Sequence, residues 1–254
     1  MLKSNFWLSL GLLALLLGRS WQAFFADLPW RAFFWNEDIW LLFLSQNNYI
    51  QLFQEDYINV FSLIMGCFWL LTASFLPFFK TKFLAYSSSL SLLFLALLFA
   101  LSKNLQAPQF WEYSLQVCWP LLFIVPQRNR LLLWATGICF TAHACYAIGL
   151  YPPPVDWLNW CMHFLQLSAE QAKSFLLLMG ALDLLAVGLL FWPKSRKIGL
   201  FYCFSWGLIT ALARPLANSY AFLDLGDFAL YFSEFLVRFP HFLGPLYLLL
   251  LSKR

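Results

Sequence analysis

The sequence carries little charge. Only 11% of its 254 residues are Asp, Glu, Lys or Arg, against roughly 25% in an ordinary soluble domain. Hydrophobic residues make up 62% of the chain and aromatic residues 20%. A soluble fold of this length has no interior large enough for so much apolar surface, whereas a lipid bilayer accepts it. The composition therefore predicts an integral membrane protein. The net charge of +4 does not indicate nucleic-acid binding, because the basic residues lie in short clusters between apolar runs.

The sequence also lacks the spacings of common redox and metal motifs. Its six cysteines form no CxxC pair, and His143, His163 and His241 form no HxxxH pair. Neither a disulfide framework nor a dedicated metal site is therefore predicted. A glycine-rich phosphate loop and a hydrolase elbow are absent as well. Without such motifs, the sequence assigns no catalytic residue and no cofactor. Whether the chain is an enzyme therefore stays open.

Long apolar runs recur along the whole chain. A helix needs about 20 mainly apolar residues to cross the hydrocarbon core, and lipid leaves no water for free backbone groups. The predicted fold class is therefore all-α, a polytopic membrane helix bundle of about eight transmembrane helices. The eight predicted spans are 5–25, 57–79, 83–102, 111–125, 131–150, 173–193, 197–216 and 229–251.

The basic residues predict the orientation. Lys and Arg in short loops favour the cytoplasmic side. With the N-terminus inside, the cytoplasmic pieces hold ten of the sixteen basic residues and no acidic residue. We therefore expect both termini in the cytoplasm and, from the resemblance described below, a bacterial inner membrane. The ten residues are Lys3, Lys80, Lys82, Arg128, Arg130, Lys194, Arg196, Lys197, Lys253 and Arg254.

Two predicted outer loops, 26–56 and 151–172, are long and rich in Trp, Tyr and Phe. Because Trp and Tyr favour the headgroup level, these loops are expected to form short helices on the outer surface. An interfacial anchor is the favoured role, and a lid over a substrate is the alternative. The run Pro152-Pro153-Pro154 is expected to end the fifth span.

The two halves of the chain resemble each other. MGCFWLLTASFLPFFKTKFLAY (65–86) aligns without gaps on MGALDLLAVGLLFWPKSRKIGL (179–200), with six identical positions, and FWEYSLQVCW (110–119) aligns on FSEFLVRFPH (232–241). Four spans per half start both halves on the same side, so the predicted repeat is parallel. The predicted units are residues 1–128 and 129–254.

The second-half motif GALDLLAVGLL (180–190), followed by the basic turn PKSRK (193–197), resembles the DoxX-like superfamily of membrane proteins. The long outer loop after the first span also fits a four-helix unit of that type. In the first half, Trp69 stands where Asp183 stands in the second, which departs from the motif. The resemblance implies a bacterial inner-membrane protein and a tandem pair of four-helix units. Some families of the group are linked to quinone or thiol redox systems.

Ionisable residues inside spans are costly and are candidate functional positions by default. Within the last span, Glu234, Arg238 and His241 share one helical face, and Glu234 and Arg238 are expected to pair along it. For Arg19 and Arg214, a guanidinium that reaches toward the outer interface is favoured. The candidate ligand-binding residues are Asp183, Arg214, Glu234, Arg238, His241, His143 and Arg19.

Two interpretations of this polar set stay open. In the first, it forms a pocket in the outer half of the bundle, where Arg and His hold a quinone or another lipid-like molecule and Asp183 or Glu234 exchanges protons. In the second, the charges pair with one another and only lock helices together. The alternatives to a quinone-linked redox protein are a scaffold or partner subunit of a membrane complex and a transporter of small solutes or lipids.

Overall fold

The computed structural model describes residues 2–217 and 225–252, and this part contains helices and no strands. Its elements are α1 (Leu2–Phe25), α2 (Arg31–Phe34), α3 (Glu37–Trp40), α4 (Gln46–Leu52), α5 (Glu55–Phe79), α6 (Lys82–Leu101), α7 (Ala107–Trp111), α8 (Ser114–Cys118), a 3-10 helix (Pro120–Phe123), α9 (Arg128–Ala147), α10 (Val155–Phe164), α11 (Ala169–Phe191), α12 (Arg196–Ala217), α13 (Leu225–Leu236) and α14 (Phe239–Leu251).

Six stretches of the described chain are long and apolar enough to cross a membrane: Phe6–Phe25, Glu55–Phe79, Lys82–Leu101, Ala169–Phe191, Arg196–Ala217 and Phe228–Leu251. They confirm the all-helical fold class and indicate an integral membrane protein that contacts a lipid bilayer. The predicted fourth and fifth spans are not among the six. The fifth corresponds to α9, which has the required length, but Arg128, Asn129 and Arg130 at its start and His143 near its end lower its mean hydropathy.

The predicted fourth span is not one helix. The broken segment, residues 107–123, consists of α7, α8 and the 3-10 helix, and Pro120 opens the last of these. It lies antiparallel to α9 along nearly all of its length. Gln106, just before this segment, accepts from Tyr146 near the end of α9 at 3.1 Å. Further along the segment, Ser114 donates to the carbonyl of Ala135, nearer the start of α9, at 2.9 Å.

The far end of the broken segment reaches the start of α1. The indole of Trp119 is fully buried and donates to the Leu8 carbonyl at 3.0 Å. Irregular backbone at membrane depth is tolerated where protein surrounds it, and α1, α6, α9 and α14 all pack against this segment. The segment therefore traverses the bundle from one end toward the other.

The helices pack in the same order in each half. In the first half, α1 packs on α5, α5 on α6, and α6 on the broken segment. In the second half, α9 packs on α11, α11 on α12, and α12 on α13 and α14. The halves also join reciprocally, because α1 packs on α13 and α14 while α9 packs on α7 and α8.

Two aligned glycines lie at the matching helix contacts. A Cβ on Gly66 of α5 would lie 2.3 Å from the Phe24 ring of α1. A Cβ on Gly180 of α11 would lie 2.6 Å from Ile148 and 2.9 Å from Ala147, at the end of α9. Both distances are too short for real atoms, so each glycine permits close approach of the first two long helices of its half.

The long loops contain short helices, as predicted: α2, α3 and α4 lie within residues 26–56, and α10 lies within 151–172. The fifth span was predicted to continue to residue 150 and to be ended by the three prolines, but α9 ends at Ala147 and a glycine, rather than a proline, ends it. Gly149 has a φ of 82°, its N–H donates to the Tyr146 carbonyl, and the Leu150 N–H donates to the Cys145 carbonyl. This is a Schellman motif, which ends a helix at a left-handed glycine.

The last predicted span is interrupted between α13 and α14. A proline ring clashes with the carbonyl four residues earlier, and α13 ends at Leu236, four residues before Pro240. Arg238 therefore lies in the turn that precedes α14. As a result, Glu234 and Arg238 do not pair along one helical face, as the sequence predicted, but turn to different partners.

Candidate functional site

A cavity of about 390 Å³ lies between α9, α10, α11 and α12 and reaches Arg238. Its volume is within the range of small-molecule pockets, roughly 300–1,000 Å³. Most of the wall is apolar or aromatic. Four of the seven predicted site residues line it: His143, Asp183, Arg214 and Arg238. An apolar cavity with a few converging polar groups is the usual form of a ligand site.

Helix α10 forms one wall of the cavity through Trp157, Trp160, Cys161 and Phe164. The guanidinium of Arg214 lies 5.3 Å from the centroid of the Trp160 ring, within cation–π range. Arg214 also donates to Glu234 at 2.9 Å, and the two form an ion pair. Glu234 thus belongs to the site by holding Arg214, although it does not line the cavity.

Arg238 is the centre of a buried polar cluster behind the cavity. Its Nη1 atom lies 3.3 Å from Nε2 of His143 and 3.4 Å from Nε2 of His241. Its Nη2 atom lies 3.9 Å from Oε1 of Glu112. The two imidazoles are parallel, with their centroids 5.7 Å apart. His143 comes from α9, whereas Arg238 and His241 come from the start of α14, so the cluster connects these two helices.

The carboxylate of this cluster, Glu112, comes from the first half of the chain. It lies between α7 and α8, accepts from Gln109 at 2.7 Å, and places Oε2 3.6 Å from Nε2 of His143. The sequence analysis did not choose it as a candidate. The signal was available, since Glu112 is an acidic residue within a predicted span and aligns with Glu234.

Arg19 forms a second buried network rather than reaching the outer interface, so that expectation was wrong. Its side chain donates to Gln22 at 2.8 Å and to Gln116 at 2.7 Å. Its guanidinium also lies over the rings of Phe99 and Tyr113, 5.4 and 5.3 Å from their centroids. These amide and ring partners hold the guanidinium inside the bundle, with the residue only 2% exposed. Arg19 does not line the cavity.

Asp183 is buried near the middle of α11 and accepts from the hydroxyl of Tyr202 at 2.9 Å. At the aligned position in the first half, the Trp69 indole donates to Ser91 at 2.9 Å. Both contacts join the second and third long helices of a half. Only the second-half contact supplies a carboxylate, and that carboxylate lies in the cavity wall.

Cys139 also lies in the polar cluster, where its thiol donates to the Glu112 carbonyl at 3.2 Å. Its Sγ atom and one ring nitrogen each of His143 and His241 all lie within 4.8 Å of one another. The sequence analysis searched for pairs of histidines and did not consider Cys139. Its spacing of four residues from His143 was the missed signal, because residues i and i+4 share a helix face.

The thiol that α10 contributes to the cavity wall is not an activated nucleophile. Burial raises the pKa of the Cys161 thiol, so at neutral pH the group stays protonated. A thiolate, rather than a thiol, is the nucleophile in cysteine chemistry. Cys161 therefore serves as apolar lining, and all six cysteines of the chain are free.

No protein-family model, no curated protein and no solved structure matches this chain. The geometry therefore carries the functional argument. The cavity offers two guanidinium groups and an imidazole as polar partners, with an aspartate and several large aromatic rings in the wall.

Proposed function

We propose that this chain is a membrane protein that binds a quinone or another lipid-like molecule in the second-half cavity. The observation that carries the proposal is the composition of the wall. Arg214, Arg238 and His143 line the space together with Asp183 and Thr210, and the rest of the wall is mostly Trp, Phe, Leu, Met and other apolar side chains. A quinone carbonyl or a lipid head group accepts hydrogen bonds from arginine and histidine nitrogens. The ring or chain of the same ligand packs against the apolar wall.

The partners of the two arginines support their role as donors. Glu234 and Trp160 orient Arg214, while Glu112 and the two imidazoles orient Arg238. The guanidinium of Arg238 carries five N–H donors in a fixed fork, and its contacts with Glu112 and the two imidazoles leave further donors for a ligand. The indoles of Trp157, Trp160 and Trp206 provide flat surfaces against which a ring can stack.

We also propose eight crossings with both termini in the cytoplasm. The antiparallel contacts between the broken segment 107–123 and α9 support two further crossings beside the six apolar ones. In this topology the cavity lies in the extracytoplasmic half, because the basic turn between α11 and α12 lies at the other end of the bundle. The positive-inside rule supports the same orientation.

A tandem pair of parallel four-helix units is part of the proposal. The starts of α5 and α11, at residues 55 and 169, keep the same spacing as those of α6 and α12, at residues 82 and 196. Arg19 contacts Gln116 in the first half, and His143 contacts Arg238 at the aligned position in the second. The DoxX-like resemblance adds a bacterial inner membrane and a quinone-linked redox role.

The test is the ligand content of the purified protein. The chain is extracted in mild detergent, and the bound quinones and lipids are identified by mass spectrometry. We expect one lipid-like species to co-purify at near-stoichiometric amount and to be lost from an Arg238→Ala variant. Arg31→Ala serves as the control, because Arg31 pairs with Asp27 and Glu55, away from the cavity.

A second pair of variants separates loss of the cavity from loss of the fold. Ala213→Phe places a ring in the cavity and leaves every polar residue intact. Gly188→Phe adds a larger side chain to α11 where a Cβ meets no neighbour within 4 Å. We expect only Ala213→Phe to displace the ligand. Retention of the ligand by both Arg238→Ala and Ala213→Phe would disprove the site, and an obligatory protein partner with no bound ligand would favour the scaffold alternative.

A further inference from the structure

We propose that Cys139, His143 and His241 form a binding site for a copper(I) ion. Their three ligand atoms come from α9 and α14 and lie within 4.8 Å of one another. Two of the residues are fixed on one face of α9 by their spacing of four residues. The third is brought in by α14, whose start packs against α9. Thiolate and imidazole are the protein ligands that copper, like zinc, accepts.

An unpartnered nitrogen atom of His241 supports a metal-ligand role for this residue. Nδ1 of His241 is buried and has no hydrogen-bond partner among the residues that the structure describes, and His241 as a whole is only 2% exposed. A buried polar atom without a partner is unfavourable in a native protein. Coordination of a metal by this nitrogen would remove that deficit. Cys139 is fully buried as well, so two of the three ligand residues have almost no contact with bulk water.

The neighbouring charge selects a monovalent ion. Arg238 lies within 3.4 Å of both imidazoles and 3.9 Å from Glu112, so one guanidinium and one carboxylate already balance in the cluster. When Cys139 binds a metal, its thiol loses a proton. Replacement of that proton by Cu(I) leaves the total charge of the cluster unchanged, whereas Zn(II) adds one positive charge beside the guanidinium. Soft thiolate ligands also favour Cu(I).

The side chain of Arg238 has room to move toward the cavity when a metal binds. Its guanidinium contacts the two Nε2 atoms at long hydrogen-bond distances, and its side chain is 15% exposed and lines the cavity. Coordination through Nδ1 of His241 leaves its Nε2 in contact with Arg238, and a shift toward the cavity separates the guanidinium from Nε2 of His143. His143 contributes to both the metal cluster and the cavity wall. The metal site does not depend on the identity of the cavity ligand.

The test is anaerobic titration of the purified full chain with Cu(I) alone, in competition with a coloured Cu(I) chelator. We expect one equivalent of Cu(I) to be taken from the chelator. Cys139→Ser is expected to lower the affinity at least about tenfold, as is typical when a metal site is disturbed. Cys203→Ser is the matched control, because Cys203 is equally buried but lies outside the three-residue cluster. His143→Gln gives a second variant should Cys139→Ser fold poorly.

Parallel titrations with Zn(II) test the charge argument. The chain is expected to prefer Cu(I), and Arg238→Gln is expected to raise the affinity for Zn(II) relative to Cu(I). Equal Cu(I) affinity of the unsubstituted chain and Cys139→Ser, or tighter binding of Zn(II) than of Cu(I), would overturn the proposal. If the Cu(I) titration shows no binding, the proposed lipid-binding function is not affected, because mass spectrometry of the bound lipids tests it independently.

Discussion

At the scale of single residues, the interior of the bundle contains guanidinium groups that have few carboxylate partners. None of the ion pairs among the described residues includes Arg19, which is held by two amide side chains and two aromatic rings. Arg238 shares one carboxylate, Glu112, with His143. Buried groups of this kind are sensitive to the removal of a partner, because the atom left behind has no water to bond.

We predict that Arg19→Met destabilises the protein although it removes a buried charge. The variant leaves the Gln116 amide oxygen without its donor, which costs about 1–3 kcal/mol. The double variant Arg19→Met, Gln116→Leu removes one of the two amides that lose their donor, with Gln22 remaining, and is expected to recover part of that loss. Thermal unfolding in detergent, followed by tryptophan fluorescence, measures both. Equal instability of the single and double variants would contradict this account.

The sequence predicted which residue types matter but not how they pair. Ionisable residues within apolar runs are visible in any sequence, so Asp183, Arg214 and Arg238 were found. Their partners depend on tertiary contacts: Tyr202 reaches Asp183 from the next helix, and Glu112 reaches Arg238 from the other half of the chain. The pairing of Glu234 with Arg214, instead of Arg238, follows from a helix break at Pro240 that the sequence analysis did not consider.

At the scale of the elements, close packing of the first two long helices in each half sets the shape of the bundle. We predict that Gly180→Ala destabilises the protein, because the added methyl group overlaps Ile148 and Ala147. Overpacking of this kind costs about 1–3 kcal/mol.

Gly188→Ala, on the same helix, is the control. A Cβ there meets no neighbour within 4 Å, and alanine is the better helix former by up to about 1 kcal/mol. We therefore expect Gly188→Ala to leave the melting temperature unchanged or slightly raised. Equal melting temperatures of Gly180→Ala and Gly188→Ala would contradict this prediction. They would show that α11 and the end of α9 move apart at little cost.

Helix boundaries were predictable where apolar runs end at charge, and less so elsewhere. The basic turns at Lys80 and Lys194 separate α5 from α6 and α11 from α12, close to the predicted limits. The broken segment was the least regular, because Pro120 and the buried aromatic side chains favour a packed, irregular path over a single helix. α9 ends at Gly149, whose left-handed conformation depends on the chain that follows.

At the scale of the whole molecule, the number of crossings decides where one loop lies. With eight crossings, the loop before α9 is on the opposite side of the membrane from the loop before α7. With six crossings formed only by the apolar stretches, both loops are on the same side. Gln127 and Lys103 are exposed residues of these two loops and serve as reporters.

We predict that Gln127→Cys and Lys103→Cys react with a membrane-impermeant maleimide from opposite sides. In intact cells, Lys103→Cys is expected to gain labelling over the unsubstituted chain, and Gln127→Cys is expected to gain it only after the membrane is opened. The same labelling of both variants in intact cells would reduce the count to six and remove both the broken segment and α9 from the list of crossings.

The reciprocal packing of the two halves has a consequence for biosynthesis. Helix α1 leaves the ribosome well before α13 and α14, against which it packs. With roughly 200 residues between them and synthesis at about 5–20 residues per second, this interval lasts about 10–40 s. Throughout the first part of it, Arg19 lies in a newly inserted helix without Gln116. The order of translation thus requires the cell to hold a helix with an uncompensated cation in or near lipid until the rest of the bundle is made.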